Sequence, residues 1–216
     1  MHLAVKGKCS SAFETGDYET ALSEWKPFAE QGDANAQSNL GWMYYLEQGV
    51  PASNKTALMW FKLSAEQGHA DAQFGLGMMY ANGDGIPQDD KTALKWYRLS
   101  AEQGHAFAQH ALGEMFEKGE VVPQDGETAL KWYKLSAEQG LSYAQFALGE
   151  MFEKGEIVPQ DDETALKWYE LVAKSDDDHH RELAEKKLPS LRKKIIVQKE
   201  QDADAQYRLA LRYKNG

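Results

Sequence analysis

Ser190-Leu191-Arg192-Lys193 has the S-x-x-K spacing that lets a lysine amine take the proton of a serine nucleophile. The S-D-N and K-T-G elements that complete such a site are missing, so chance spacing in a basic helix is the better reading. His179 and Glu182, three residues apart, could offer two metal ligands from one helical turn, with His180 beside them. Next to Asp176, Asp177 and Asp178 they read instead as solvated residues at a helix start. His69 and His105 share a sequence slot with Asp33 and Leu141 and read as solvent-facing turn residues, while His110 stands alone. Asp84 and Asp89 lack the alternating oxygen ligands and terminal Glu of a calcium loop. There is no P-loop, dinucleotide fingerprint or H-E-x-x-H, and Cys9 is the single cysteine. The expectation is a protein that is not an enzyme and carries no cofactor and no metal.

What organises the chain is repetition. Ala65 opens AEQGHADAQFGLGMMY, and Ala29, Ala101 and Ala137 open near-copies of it. Each copy closes on one kind of segment: KTALMWFKLS, KTALKWYRLS, ETALKWYKLS and ETALKWYELV. The period is 36 residues, held without a gap from Ala29 to Lys174. A unit this small cannot bury its own apolar face, so it must stack on its neighbours.

Each unit reads as two helices. In the second, helix A covers about 69–82, a loop follows, and helix B covers about 89–103, capped by Asp89 or Asp90. Gly32, Gly68, Gly104 and Gly140 follow each helix B and suit the left-handed position that ends a helix. Gly41, Gly77, Gly113 and Gly149 recur inside helix A although each costs about 1 kcal/mol against Ala, which implies close helix approach. The organisation expected is an N-terminal half-repeat (1–28) with a helix kinked or ended early by Pro27, and four repeats (29–64, 65–100, 101–136, 137–174). An inserted helical pair (175–201), its second helix opened by Pro189, and a lone helix A (202–216) complete it. Ile195-Ile196-Val197 is expected to fold back over that last helix, because solenoid ends need capping.

The 216 residues, 42% hydrophobic and 27% charged, describe a folded chain, and the net charge of -10 argues against nucleic acid. No apolar run approaches the roughly 18 residues of a membrane span. As written the chain would be cytoplasmic, or periplasmic or secreted if a signal has been removed.

The pattern A-x-A-Q-x-x-L-G-x-M-Y, then G, P, D and A-L-x-W-Y-x-x-A-E-Q-G, resembles the Sel-one-like repeat family, relatives of tetratricopeptide repeats. The resemblance covers Ala29 to Lys174 densely. It implies an all-α, right-handed superhelical α-solenoid of antiparallel helix pairs, with A helices on the concave side. It also implies an adaptor role. A cysteine-rich branch of the family carries a disulfide in each repeat, and this chain lacks those cysteines.

Differences between copies locate the binding face. On helix A, the slots of Ala70, Ala72, Gln73, Leu76, Gly77, Met79 and Tyr80 are nearly constant and occupy one half of the helical wheel. The slots of Asp71, Phe74, Gly75, Met78, Ala81 and Asn82 vary and occupy the other. Aromatic residues with an acidic rim collect there: Trp42, Phe74, Met78, Phe107, His110, Glu114, Tyr143, Phe146 and Glu150. They describe a groove for a peptide or protein segment of apolar and basic character, presented by a monomer. Two alternatives stay open: that these rings only pack against the next A helix, and that the solenoid is structural or self-associating.

Overall fold

The structure, a computed structural model, describes residues 12–215; Cys9 and the start of the 1–28 half-repeat lie outside the described residues. Every regular element among them is helical, with no strand. The chain divides into two compact units, residues 1–123 and 124–216. The first holds α1 (Tyr18–Glu30), α2 (Ala34–Tyr45), α3 (Asn54–Glu66), α4 (Ala70–Asn82), α5 (Asp90–Glu102) and α6 (Ala106–Lys118). The second holds α7 (Gly126–Glu138), α8 (Ser142–Lys154), α9 (Asp162–Val172) and α10 (Asp178–Asn215). Within each unit helices A and B alternate and successive helices pack on one another, as in a solenoid.

The helix ends are written in the sequence. Ser53, Asp89, Asp125 and Asp161 cap the B helices by accepting from the backbone N–H of Thr56, Thr92, Thr128 and Thr164. Each such cap contributes about 1 kcal/mol. Pro27 does not end α1, which runs on to Glu30; Pro27 and Ser23, whose carbonyl loses its N–H partner, are both exposed, so water can take that place.

The glycine of helix A is where helix B lands. A Cβ on Gly77 would stand 2.7 Å from the Tyr97 ring, and one on Gly149 2.6 Å from Tyr169. Phe61 is held on two sides, since a Cβ on Gly41 or on Gly75 would stand 2.5 or 2.8 Å from its ring. Gly75 thus belongs to the packing and not to a freely varying face.

Repeated polar contacts fix the register. Ser64 and Ser100 donate to the carbonyls of Ala34 and Ala70 at 2.6 and 2.7 Å. The Gln37, Gln73 and Gln109 amides donate to the carbonyls of Ala29, Ala65 and Ala101, and Gln145 does the same to Ala137.

The last fifth of the chain differs from the sequence expectation. Residues 178–215 form one helix with Pro189 inside it, not a helical pair followed by a separate helix A. Ile195-Ile196-Val197 lies on the same continuous helix as residues 202–213 and cannot fold over them; Ile196, Val197, Tyr207 and Leu209 are all exposed. The physical reason is the turn chemistry. Between Gly155 and Gly216 there is no glycine, and one proline interrupts a helix less than a left-handed turn does.

The repeat register also outlasts Lys174. Asp177, 36 residues after Leu141, bonds the N–H of His180, and Ala184, Leu188 and Leu191 are buried with Ala165, Tyr169 and Val172 of α9. The start of α10 therefore does the work of a fifth helix A. Ser142 donates its hydroxyl to Asp177 at 2.7 Å, and this bond outweighs burial; with the His180 contacts it holds the carboxyl at about 2. A depressed carboxylate value stabilises above the unfolded pKa near 4 and loses that contribution as the pH falls toward 2. Asp177→Asn is expected to flatten the acid limb of stability between about pH 4 and 2, measured by urea midpoints, and to cost stability most above pH 5, where the parent carboxylate is charged.

Candidate partner-binding face

In the first unit the variable arcs of α2, α4 and α6 form one connected set of side chains. Asp71, in the first turn of α4, accepts from Ser38 Oγ at 2.9 Å and Trp42 Nε1 at 2.6 Å, both on α2. Its other oxygen lies 3.3 Å from His105 Nε2, ahead of α6. One carboxylate thus joins three successive A helices. Burial pushes this carboxyl up, but the bonds from His105, Ser38 and Trp42 outweigh it and hold the group below the usual value.

His69 and His105 are not solvent-facing turn residues. Each Nδ1 accepts from a backbone N–H, that of Ala72 at 3.4 Å and of Ala108 at 3.3 Å, so each caps a helix A. An accepting Nδ1 places the proton on Nε2, which then donates to Asn35 from His69 and to Asp71 from His105. The signal was present in the sequence: the same slot holds Asp33, a common capping residue, and Asp33 caps α2.

The rings follow this polar line. Trp42 meets Phe61 with centroids 4.9 Å apart and Phe74 at 6.2 Å. Phe74 stacks on His105 at 4.7 Å and adjoins Tyr97 and Phe107 at 5.8 and 5.9 Å. Trp42 and Phe74 therefore pack one repeat onto the next. Met78 is half-buried, whereas Phe107 is 47% exposed. Beyond it, His110 Nδ1 lies 3.8 Å from Glu114, which also pairs with Lys118 at 3.3 Å. Glu114, Lys118, Tyr97, Ala111, Met115 and Asn82 line a cleft of about 330 Å³.

The second unit repeats the chemistry with different loading. Tyr143, 47% exposed, lies 4.3 Å from the His180 ring, and Phe146 packs on Tyr169 and His180 at 5.4 and 5.6 Å. Glu150 pairs with Lys154 at 3.5 Å and Lys187 at 3.8 Å. Lys187 also meets Glu153 at 2.7 Å, and Glu153 accepts from the Tyr169 hydroxyl at 2.8 Å. The acidic residues here serve α8, α9 and α10 themselves.

The residues read for other chemistry lie apart. Ser190 donates to the Lys187 carbonyl, and both Ser190 and Lys193 are exposed. Glu182 is bound to Lys186 at 2.7 Å, and His179 touches the His180 ring. Among the described residues no cluster of three His, Cys, Asp or Glu side chains could hold a metal ion, and no helix is long and apolar enough to cross a membrane.

Comparison with known proteins bears on this arrangement. The Sel1 repeat matches residues 34–69, 70–105, 106–141, 142–177 and 203–216. A Sel1 repeat protein from Oxalobacter formigenes is 32% identical over 77% of this chain and 66% of its own, with a TM-score of 0.70. A protective antigen present in uropathogenic Escherichia coli strains, displaying an SLR fold, is 36% identical over 74% of this chain and 34% of its own, with a TM-score of 0.68. A Sel1 repeat protein of Klebsiella pneumoniae shares the fold at 22% identity, with a TM-score of 0.56 over 85% of this chain and 89% of its own. The chain spans less than two thirds of the length of the first two. No curated protein sequence matches it.

Proposed function

The chain belongs to the Sel1 repeat family, and from that premise we propose that it is a protein-interaction scaffold whose A-helix face in the first unit binds a segment of a partner protein. The observation that carries this reading is exposure: Phe107 keeps 47% of its surface open on α6, the helix that also carries Glu114 into an acid-edged cleft. A large aromatic residue in water beside a cleft with a carboxylate fits an apolar anchor followed by a basic residue. Trp42 and Phe74 support the platform, and Phe107, Met78, His110 and Glu114 meet the partner. In the second unit Tyr143 plays the part of Phe107, with Phe146 and Glu150 holding its surroundings.

The test is selection of peptides from a random library on the intact chain, followed by affinity measurement on variants. Phe107→Ala is expected to weaken the selected peptides by about 30-fold, the equivalent of a 2 kcal/mol hot spot, with an unchanged melting temperature. Glu114→Gln is expected to slow association at low salt and to match the parent protein at high salt. Peptides that bind Phe107→Ala as well as the parent protein would place the site elsewhere.

A further inference from the structure

Tyr97 on α5 and Tyr169 on α9 occupy the same repeat slot, 72 residues apart. In the second unit the Tyr169 hydroxyl donates to Glu153 at 2.8 Å, and Lys187 donates to the same carboxylate at 2.7 Å. The Lys187 amine lies 5.9 Å from the centre of the Tyr169 ring. In the first unit the counterparts of Glu153 and Lys187, again 72 residues away, are Ala81 on α4 and Met115 on α6. Ala81 brings no polar side-chain atom and Met115 no charge. Both line the cleft of about 330 Å³, together with Tyr97. Tyr97 is 6% exposed, and its hydroxyl has no hydrogen-bond partner among the described residues. A hydroxyl shut away without a partner is costly. The cleft thus holds an unanswered polar group where the second unit holds a satisfied one.

The remaining walls set the chemistry. Asp90, Glu114 and Glu120 bring three carboxylates against the one amine of Lys118. The Lys118 contact with Glu114, at 3.3 Å, joins two half-exposed side chains, where an ion pair contributes little and exchanges readily. Burial, and next the Glu114 charge, keep the Tyr97 hydroxyl protonated. Its oxygen is therefore open to a donor from a ligand. We propose, resting on the partner-binding reading of this face, that the cleft is the subsite for an arginine side chain of the partner segment, its guanidinium taking the place that Lys187 holds in the second unit. One N–H donates to the Tyr97 oxygen and others to the Glu114 carboxylate. The planar fork of a guanidinium makes that division better than a compact ammonium does. Phe107 and Glu114 are seven residues apart on α6, which puts them on one side of the helix about 10 Å apart. An extended segment covers that distance with about three residues. The arginine accordingly sits about three positions from the apolar anchor of the partner.

The test titrates N-acetylarginine amide into the full chain, with no peptide present, and follows the backbone amide NMR signals of Ala81, Tyr97 and Met115. Saturable shifts at millimolar concentration are expected, weaker with the lysine amide and absent with the uncharged citrulline amide. Tyr97→Phe, which removes only the hydroxyl, should weaken the arginine amide by about fivefold. Ala81→Glu with Met115→Lys rebuilds the second unit's arrangement inside the cleft. It should abolish the shifts while the melting temperature is kept or raised. In selected peptides, replacing arginine by citrulline should weaken binding by about tenfold or more. Citrulline amide that binds as well as arginine amide, or a rebuilt cleft that still binds it, overturns the proposal. Peptides that lose nothing on the replacement, while the amide binds, overturn the assignment to a partner side chain and leave a free guanidinium compound as the ligand. If no peptide is selected, the partner-binding reading of Phe107 fails, and the amide titration still decides the cleft.

Discussion

Gly77→Leu is expected to lower the unfolding free energy by about 3 kcal/mol and the melting temperature by about 6–12 °C. The Tyr97 ring lies where the new side chain would begin, with 2.7 Å between it and the first added carbon. Tyr97 would have to shift toward the cleft it lines and give up its packing on helix A. It is buried, and burial, with the nearby Glu114 charge, already drives its hydroxyl well above the usual range. Phe107→Leu, an exposed change that keeps an apolar side chain, should move stability by less than about 0.5 kcal/mol. Equal losses in the two variants would mean that Tyr97 does not rest on Gly77.

Asp71→Ala is the second large effect, expected to cost about 2–3 kcal/mol. It removes the acceptor of Ser38, Trp42 and His105 at once and leaves the Trp42 N–H without its 2.6 Å partner. Trp42→Phe keeps most of the ring contact with Phe61 but drops that N–H. In a double-mutant cycle the pair should couple by about 1 kcal/mol or more. The Asp71 carboxyl is held below its ordinary value, so its contribution is present above about pH 4 and fades as the pH falls below it. Asp71→Ala should accordingly lose most against the parent at neutral pH and least in acid. A cycle that sums to zero would show that the two side chains act separately.

The repeat and its faces were legible in the sequence because they depend on spacing within one helix. The period of 36, the capping Asp89 and the packing glycine Gly77 all follow from local chemistry and appear where expected. The use of the variable arc was legible only in part. Whether Phe74 faces a partner or the next repeat depends on the distance between successive A helices, which no single-helix pattern contains. In the structure Phe74 stacks on His105, and Asp71, placed on the tolerant half of the wheel, turns out to be a clamp. The continuity of α10 was hidden for the opposite reason. Its signal is the lack of any glycine between Gly155 and Gly216, whereas Pro189 suggests a helix boundary that does not form.

The serine and glutamine contacts between repeats have a consequence for how such a chain can change. Ser64 reaches Ala34, and Ser100 reaches Ala70, through the same atoms, and Gln67 and Gln103 meet Gln37 and Gln73 at the same 2.7 Å. Because these junctions are chemically interchangeable, duplication or excision of a whole 36-residue module leaves the seam on either side with its partners intact. Length can therefore drift by recombination without unfolding intermediates. What such an event would disturb is the Asp71 clamp, which needs its own particular neighbours on both sides. The shared seam tolerates such a change, and the Asp71 contacts do not.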